Sequence, residues 1–283
     1  MKLQVDKAVL NENELKRILI KINSGDKAWN DVDRILVVES MITHIGSPDA
    51  ELRDKLIYTS FFRLIIENNQ LESELLTELL DISLDDLLLK GIGEKGTDTV
   101  FTRAFTTLLI ALILYRDNED NFLGQKRIDR VKDQLILYIS NEKDLRGFVS
   151  GKGWAHSVAH VADAFDELVK NPKISYEQYP LILQPLWNVM FVTDSVYIHD
   201  EDERVITPII QMLNNGLDVQ EIERLVNDIT TELETQKKQL DEEKYWFLVF
   251  NSKSFLKSFY MKISGDSKFG SIQKSIEQCL SEI

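Results

Sequence analysis

The stretch Gly153-Trp154-Ala155-His156-Ser157-Val158-Ala159-His160-Val161-Ala162-Asp163-Ala164-Phe165-Asp166-Glu167-Leu168-Val169-Lys170 decides the fold class, because its apolar residues recur with a helical period. On a helical wheel Val158, Val161, Phe165, Leu168 and Val169 fall between about 120° and 220°, on one side. His156, His160, Asp163 and Glu167 fall between about −20° and 40°, a narrow stripe on the other. The spacing predicts a helix over 154–170 that sets its back to a core and presents imidazoles and carboxylates from its front.

The same period extends in both directions. It predicts helices at 12–23, 31–45, 48–68, 72–82, 84–90, 97–116 and 123–141 before this stretch, and at 202–215, 218–240, 241–262 and 267–281 after it, with one more following Ser175. Ser47-Pro48-Asp49 reads as N-cap, proline at the first helical position and an acid at the positive dipole end. Ser83-Leu84-Asp85-Asp86 and Ser175-Tyr176-Glu177-Gln178 read as capping boxes. Gly91-Ile92-Gly93-Glu94-Lys95-Gly96 is a break, and the stretch with Gly147, Gly151 and Gly153 reads as a glycine-rich loop. Pro180 suits a first turn, whereas Pro185 should kink its helix.

About twelve helices with short connections give an all-α reading. Pairs of roughly 40 residues suit a right-handed HEAT- or armadillo-like α-solenoid of antiparallel pairs, and a closed α/α toroid is the alternative. The expected organisation is a single domain over 1–283, with 217–283 as a C-terminal helical cap.

Composition narrows the function classes. With 43% hydrophobic and 28% charged residues, the 283-residue chain reads as globular. Five prolines and twelve glycines disfavour a turn-rich all-β fold. A net charge of −14 without a basic stripe argues against nucleic acid and anionic membrane surfaces as partners. Cys279 is the single cysteine, which excludes an intramolecular disulfide and a cysteine-based zinc cluster. The start, Met1 to Lys7, lacks a signal-peptide pattern, and the longest apolar run, Leu108 to Leu114, is too short to span a bilayer. A cytoplasmic location is expected.

Three readings of the His stripe stay open. Residues at i and i+4 stand about 5–6 Å apart, so His156 and His160 could share a divalent metal with Asp163 as third ligand; zinc, iron or manganese would fit. Asp144 or Glu167 would then serve as base, since HSVAH lacks the acid of HExxH. The same side chains could form a metal-free ligand pocket. Flanked by Ala155, Ala159, Ala162 and Ala164, they could equally form an internal hydrogen-bond network. Arg146 and Lys152 in the glycine-rich loop add positive charge near a helix N-terminus, which suits an anion. Trp154 reads as a packing anchor, His44 as a helix C-terminal partner, and His199 as a loop residue beside Asp200. The cluster Tyr245 to Tyr260 reads as core.

Asp144-Leu145-Arg146-Gly147 followed by Gly153-Trp154-Ala155-His156, His160 and Asp163 resembles the bacterial family labelled domain of unknown function 2785. Three further stretches resemble it: His44-Ile45-Gly46-Ser47 with Leu52-Arg53-Asp54 and Tyr58; Gly91-Ile92-Gly93 with Asp98, Phe101 and Arg103-Ala104-Phe105; and Glu201-Asp202-Glu203-Arg204. The resemblance spans roughly residues 40–210. Where the family pattern has Arg-Ser-Phe, this chain has Arg103-Ala104-Phe105. The resemblance implies a helical protein of Firmicute type and no assigned activity. It groups Asp54, Arg103, Arg146, His156, His160, Asp163 and Arg204 as candidates for one concave surface.

The leading expectation is a binding protein whose polar cleft takes a small ligand, an anion or a peptide, contacted by those residues and Trp154. The alternatives are a metal-dependent hydrolase using the same stripe and an interaction scaffold without a site.

Overall fold

A computed structural model describes residues 9–283; the N-terminal stretch read for a leader lies outside the described residues. The described residues are mostly helical, with one small antiparallel hairpin. The chain divides into two compact units, Met1–Asn171 and Pro172–Ile283.

In the first unit, α1 (Glu12–Asn23) opens on a capping box made by Asn11 and Glu14. α2 (Arg34–Thr43) follows a single 3-10 turn. Asp49, not Ser47, caps the next helix: its Oδ1 accepts from the backbone of Glu51 and Leu52, at 2.9 and 3.3 Å. Pro48 therefore sits outside the helix. That helix runs unbroken through Glu51–Tyr58, α3 (Thr59–Phe62) and Arg63–Glu67, and its first and last segments are wound as π-helix. α4 (Ser73–Ile82) continues into another π-wound turn, Ser83–Leu87. Ser83 caps nothing, because its hydroxyl donates back to the Leu79 carbonyl at 2.7 Å and the helix passes through it. The expected break between 82 and 84 is absent.

α5 (Thr99–Asp120) is buried on nearly every side from Val100 to Leu114. It is long and apolar enough to cross a membrane by length and composition, unlike the seven-residue run read from sequence, and 78% of its most apolar window is buried in the fold. α6 (Gln125–Asn141) packs on α7 (Ser157–Lys170), and α7 packs against α5 more extensively than any other two elements pack. α5 and α7 run parallel. Phe105 meets His160 near their starts, and Asp117 and Asn118 meet Asn171 and Glu167 at their ends.

The glycine-rich segment before α7 is not an irregular loop. β1 (Phe148–Val149) pairs with β2 (Gly153–Trp154), and Ala155 N–H closes the hairpin onto the Gly147 carbonyl at 2.8 Å. α7 consequently starts three residues later than the periodicity predicts. His156 is its N-cap, in the left-handed conformation at φ 48°. The core face is as read from sequence, with Val158, Val161, Phe165, Leu168 and Val169 all buried. The opposite face is not open either, since Ala159, His160, Ala162 and Ala164 are also buried.

In the second unit, the Ser175 and Gln178 capping box forms as expected and leads through one 3-10 turn into α8 (Tyr179–Asn188), with Pro180 in the first turn and Pro185 inside the helix. α9 (Glu201–Asn214), α10 (Val219–Gln236), α11 (Glu242–Ile263) and α12 (Gly270–Glu282) lie within a few residues of their predicted bounds. α9 packs on α11 and α10 on α12. Trp187, Phe255 and Phe259 make the aromatic part of this core, with half-buried Phe191 against them. Trp246 and Phe250, of the cluster that reads as core, instead face outward from α11 and are exposed.

Candidate functional site

The hairpin in the first unit is held from below by two adjacent residues of the π-wound helix. Arg53 is fully buried. Its Nη1 donates to the Ser47 carbonyl at 2.6 Å, and its Nη2 to the carbonyls of Lys152 at 2.7 Å and Trp154 at 3.3 Å. The guanidinium lies over the rings of Phe101 (4.1 Å) and Phe105 (4.8 Å), where the negative ring faces replace part of its lost hydration. Its charge partner is Asp54, Nε to Oδ1 at 2.8 Å. Burial holds the Asp54 carboxyl above its usual range, with Arg53 and the Trp154 N–H pulling it back. Burial likewise lowers the Arg53 guanidinium. Both sides of the Trp154 backbone unit are thus gripped, its N–H by Asp54 and its carbonyl by Arg53.

Gly153 makes this grip geometrically possible. Its φ is 78°, and a Cβ there would stand 2.7 Å from the Ala50 Cβ and 3.1 Å from Arg53 Nη2.

From the hairpin a line of rings leads inward. Phe148 meets Trp154 edge to face at 5.1 Å, and Trp154 lies against His156 at 4.3 Å. His156 meets His160 at 5.7 Å, and His160 meets Phe105 at 5.1 Å. Exposure falls along the line: Trp154 is 39% exposed, His156 half-buried and His160 8% exposed. The two imidazoles meet across the first turn of α7, where His160 N–H donates to the His156 carbonyl at 2.9 Å.

A second set of predicted residues is held in internal bonds away from the rings. Arg103, fully buried, binds Glu142 through two bonds (2.7 and 2.9 Å) and donates from Nη1 to Lys90 O, Gly91 O and Thr99 Oγ1. Arg146 binds both oxygens of buried Asp144, each at 2.6 Å, and also the Thr97 carbonyl. Asp144 further accepts from Gly96 N–H, and its carbonyl takes the Ser157 hydroxyl at the start of α7. Lys152 is paired with Asp98 at 2.6 Å. The two cations read as attractors for an anion therefore already face carboxylates.

The remaining predicted residues lie apart. Asp163 is half-buried, three residues past His160 on α7. Glu167 is at the far end of α7, bonded to Asn118 and Lys170. His44 Nε2 contacts the Leu10 carbonyl at 2.8 Å. In the second unit, Arg204 is exposed on α9. There His199 N–H donates to Glu201 at 2.9 Å, and burial raises the Glu201 carboxyl.

Sequence reasoning passed over Arg53, Glu142 and Phe105. Arg53 and Phe105 stood inside quoted motifs, but only the neighbouring Asp54 and Arg103 were grouped with the candidate surface. Glu142 carries no local signal, being 39 residues from its partner.

The chain belongs to the family of proteins of unknown function DUF2785, whose model matches residues 88–261. The matched range begins after the His44 to Tyr58 stretch and runs beyond residue 210, so it is shifted towards the C-terminus relative to the span of the resemblance. No curated protein and no solved structure matches the chain.

Proposed function

We propose that the first unit is a binding module that receives a planar or aromatic group of a small ligand, or of a peptide side chain, against Trp154 and His156. One observation carries this reading. An exposed indole lies on an imidazole at 4.3 Å, and the backbone on both sides of that indole is fixed by the buried Arg53 and by Asp54. Burying an arginine is costly. Its use here to immobilise one exposed ring supports a preorganised surface rather than a simple packing anchor. Binding is proposed rather than turnover because both oxygens of Asp144 are engaged by Arg146 and Gly96, and Glu167 lies about 10 Å further along the helix than His160.

The test uses indole, adenosine and nicotinamide as probes, followed through tryptophan fluorescence and the imidazole NMR signals of His156 and His160. The expected result is a saturable shift that Trp154→Ala abolishes. No shift at millimolar probe, or an undiminished shift in Trp154→Ala, would refute the reading.

A second reading is favoured by the 5.7 Å separation of the His156 and His160 rings. In it the pair, with Asp163, takes a zinc, iron or manganese ion. Elemental analysis of untagged protein separates the two. Stoichiometric metal that is lost in His156→Asn favours the metal site, and its absence leaves the aromatic surface.

A further inference from the structure

The second unit contains a groove of about 640 Å³ between α8, α10 and α11. That volume is in the range of small-molecule sites, about 300–1,000 Å³. We propose that this groove binds an amphipathic organic cation, with the apolar body on its floor and the charged head at its α10 rim. The inference is independent of the first-unit reading.

The floor is apolar and preformed. Leu225, Ile229 and Leu233 from one face of α10, with Leu248 from α11, line it together with Trp187 and Phe191. Trp187 and Phe191 lie 5.6 Å apart and both pack on Phe255, at 5.1 and 5.9 Å, so the aromatic wall is fixed from behind. An incoming hydrocarbon meets a built surface and spends little on ordering it.

The rim sets the sign of the head group. Asp228 and Glu232 both line the groove at i and i+4 on α10, a like-charge spacing that repels. The cation beside them, Arg224, is already divided between Glu221 (3.0 Å) and Asp228 (3.5 Å). Glu232 accepts from the Gln236 amide at 2.7 Å, and no cation among the described residues bonds to it. A ligand ammonium placed between Asp228 and Glu232 would relieve their repulsion, whereas a carboxylate would add to it.

The experiment compares three ten-carbon probes that differ only in the head, namely decylammonium, decanol and decanoate, below their micellar concentrations. Calorimetry on the full chain gives the affinities. Decylammonium is expected to bind at least tenfold more tightly than decanoate. The double variant Asp228→Asn, Glu232→Gln should bring it down to the affinity of decanol. Asn188→Trp, at an exposed position lining the groove, should block all three, and Thr231→Trp serves the same purpose if the first does not fold by circular dichroism. Equal affinity for decanoate and decylammonium would overturn the proposal. So would a double variant with unchanged affinity, or binding that survives both tryptophan substitutions. Trp154→Ala should leave these affinities unaltered, which keeps the outcome separate from that of the first unit.

Discussion

Arg103 and Glu142 form a two-bonded ion pair in which neither side chain is more than 2% exposed, and it joins the start of α5 to the end of α6. Removing one partner strands a buried charge. Glu142→Ala is therefore expected to cost about 3–5 kcal/mol by urea unfolding, while Arg103→Met with Glu142→Leu should cost less than the two single changes summed. Additive losses would mean that the two side chains act separately.

His156 caps α7 at φ 48°, a conformation that asparagine tolerates and β-branched residues do not. His156→Asn should leave stability within about 0.5 kcal/mol, while His156→Val should lose roughly 1–2 kcal/mol. Thermal unfolding of the two variants checks this, and equal losses would place the role of His156 in its ring contacts. His160, enclosed between Phe105 and His156, should not tolerate Gln as His156 tolerates Asn.

Two glycines of the hairpin share a positive φ but differ in their surroundings. Gly151 has nothing within 4 Å of a built Cβ, so Gly151→Ala carries only the conformational penalty, about 1 kcal/mol. Gly153→Ala adds a collision with Ala50 and Arg53, for a total of about 2–4 kcal/mol. The contrast, read by chemical denaturation and by the emission of Trp154, tests whether Arg53 holds the hairpin.

Burial raises the Asp54 carboxyl more than Arg53 lowers it, so its folded pKa lies above its unfolded value. The stability this shift contributes is complete below the unfolded pKa, about 3.9, and is lost as pH rises through the folded one. Asparagine does not titrate. The stability advantage of wild type over Asp54→Asn should therefore shrink from pH 4 to pH 7. An advantage that grows over that interval would show that the ion pair, not burial, governs Asp54.

Phe165 is fully buried on the face of α7 that the periodicity assigns to the core. Phe165→Ala should cost about 3–5 kcal/mol. A loss below about 1 kcal/mol in urea unfolding would contradict that packing.

The helices were legible in the sequence because their cause is local. Apolar side chains spaced at 3.6 residues need one buried face, and that requirement is written in order along the chain. The all-α class, the core face of α7 and the bounds of α9 to α12 follow from it. The site was legible only as composition: two histidines, a tryptophan and three glycines within one short run. What that run does was decided elsewhere. Gly153 bends the chain into a hairpin only because Arg53 and Asp54, about one hundred residues earlier, supply the acceptor and donors that grip Trp154. Arg103 became an internal brace because Glu142, 39 residues further on, reaches it, and Arg146 is tied to the Thr97 carbonyl, 49 residues earlier. Whether a charged side chain meets solvent, a ligand or another side chain depends on partners distant in sequence. Local periodicity carries no information on those partners, and the tertiary structure chose them.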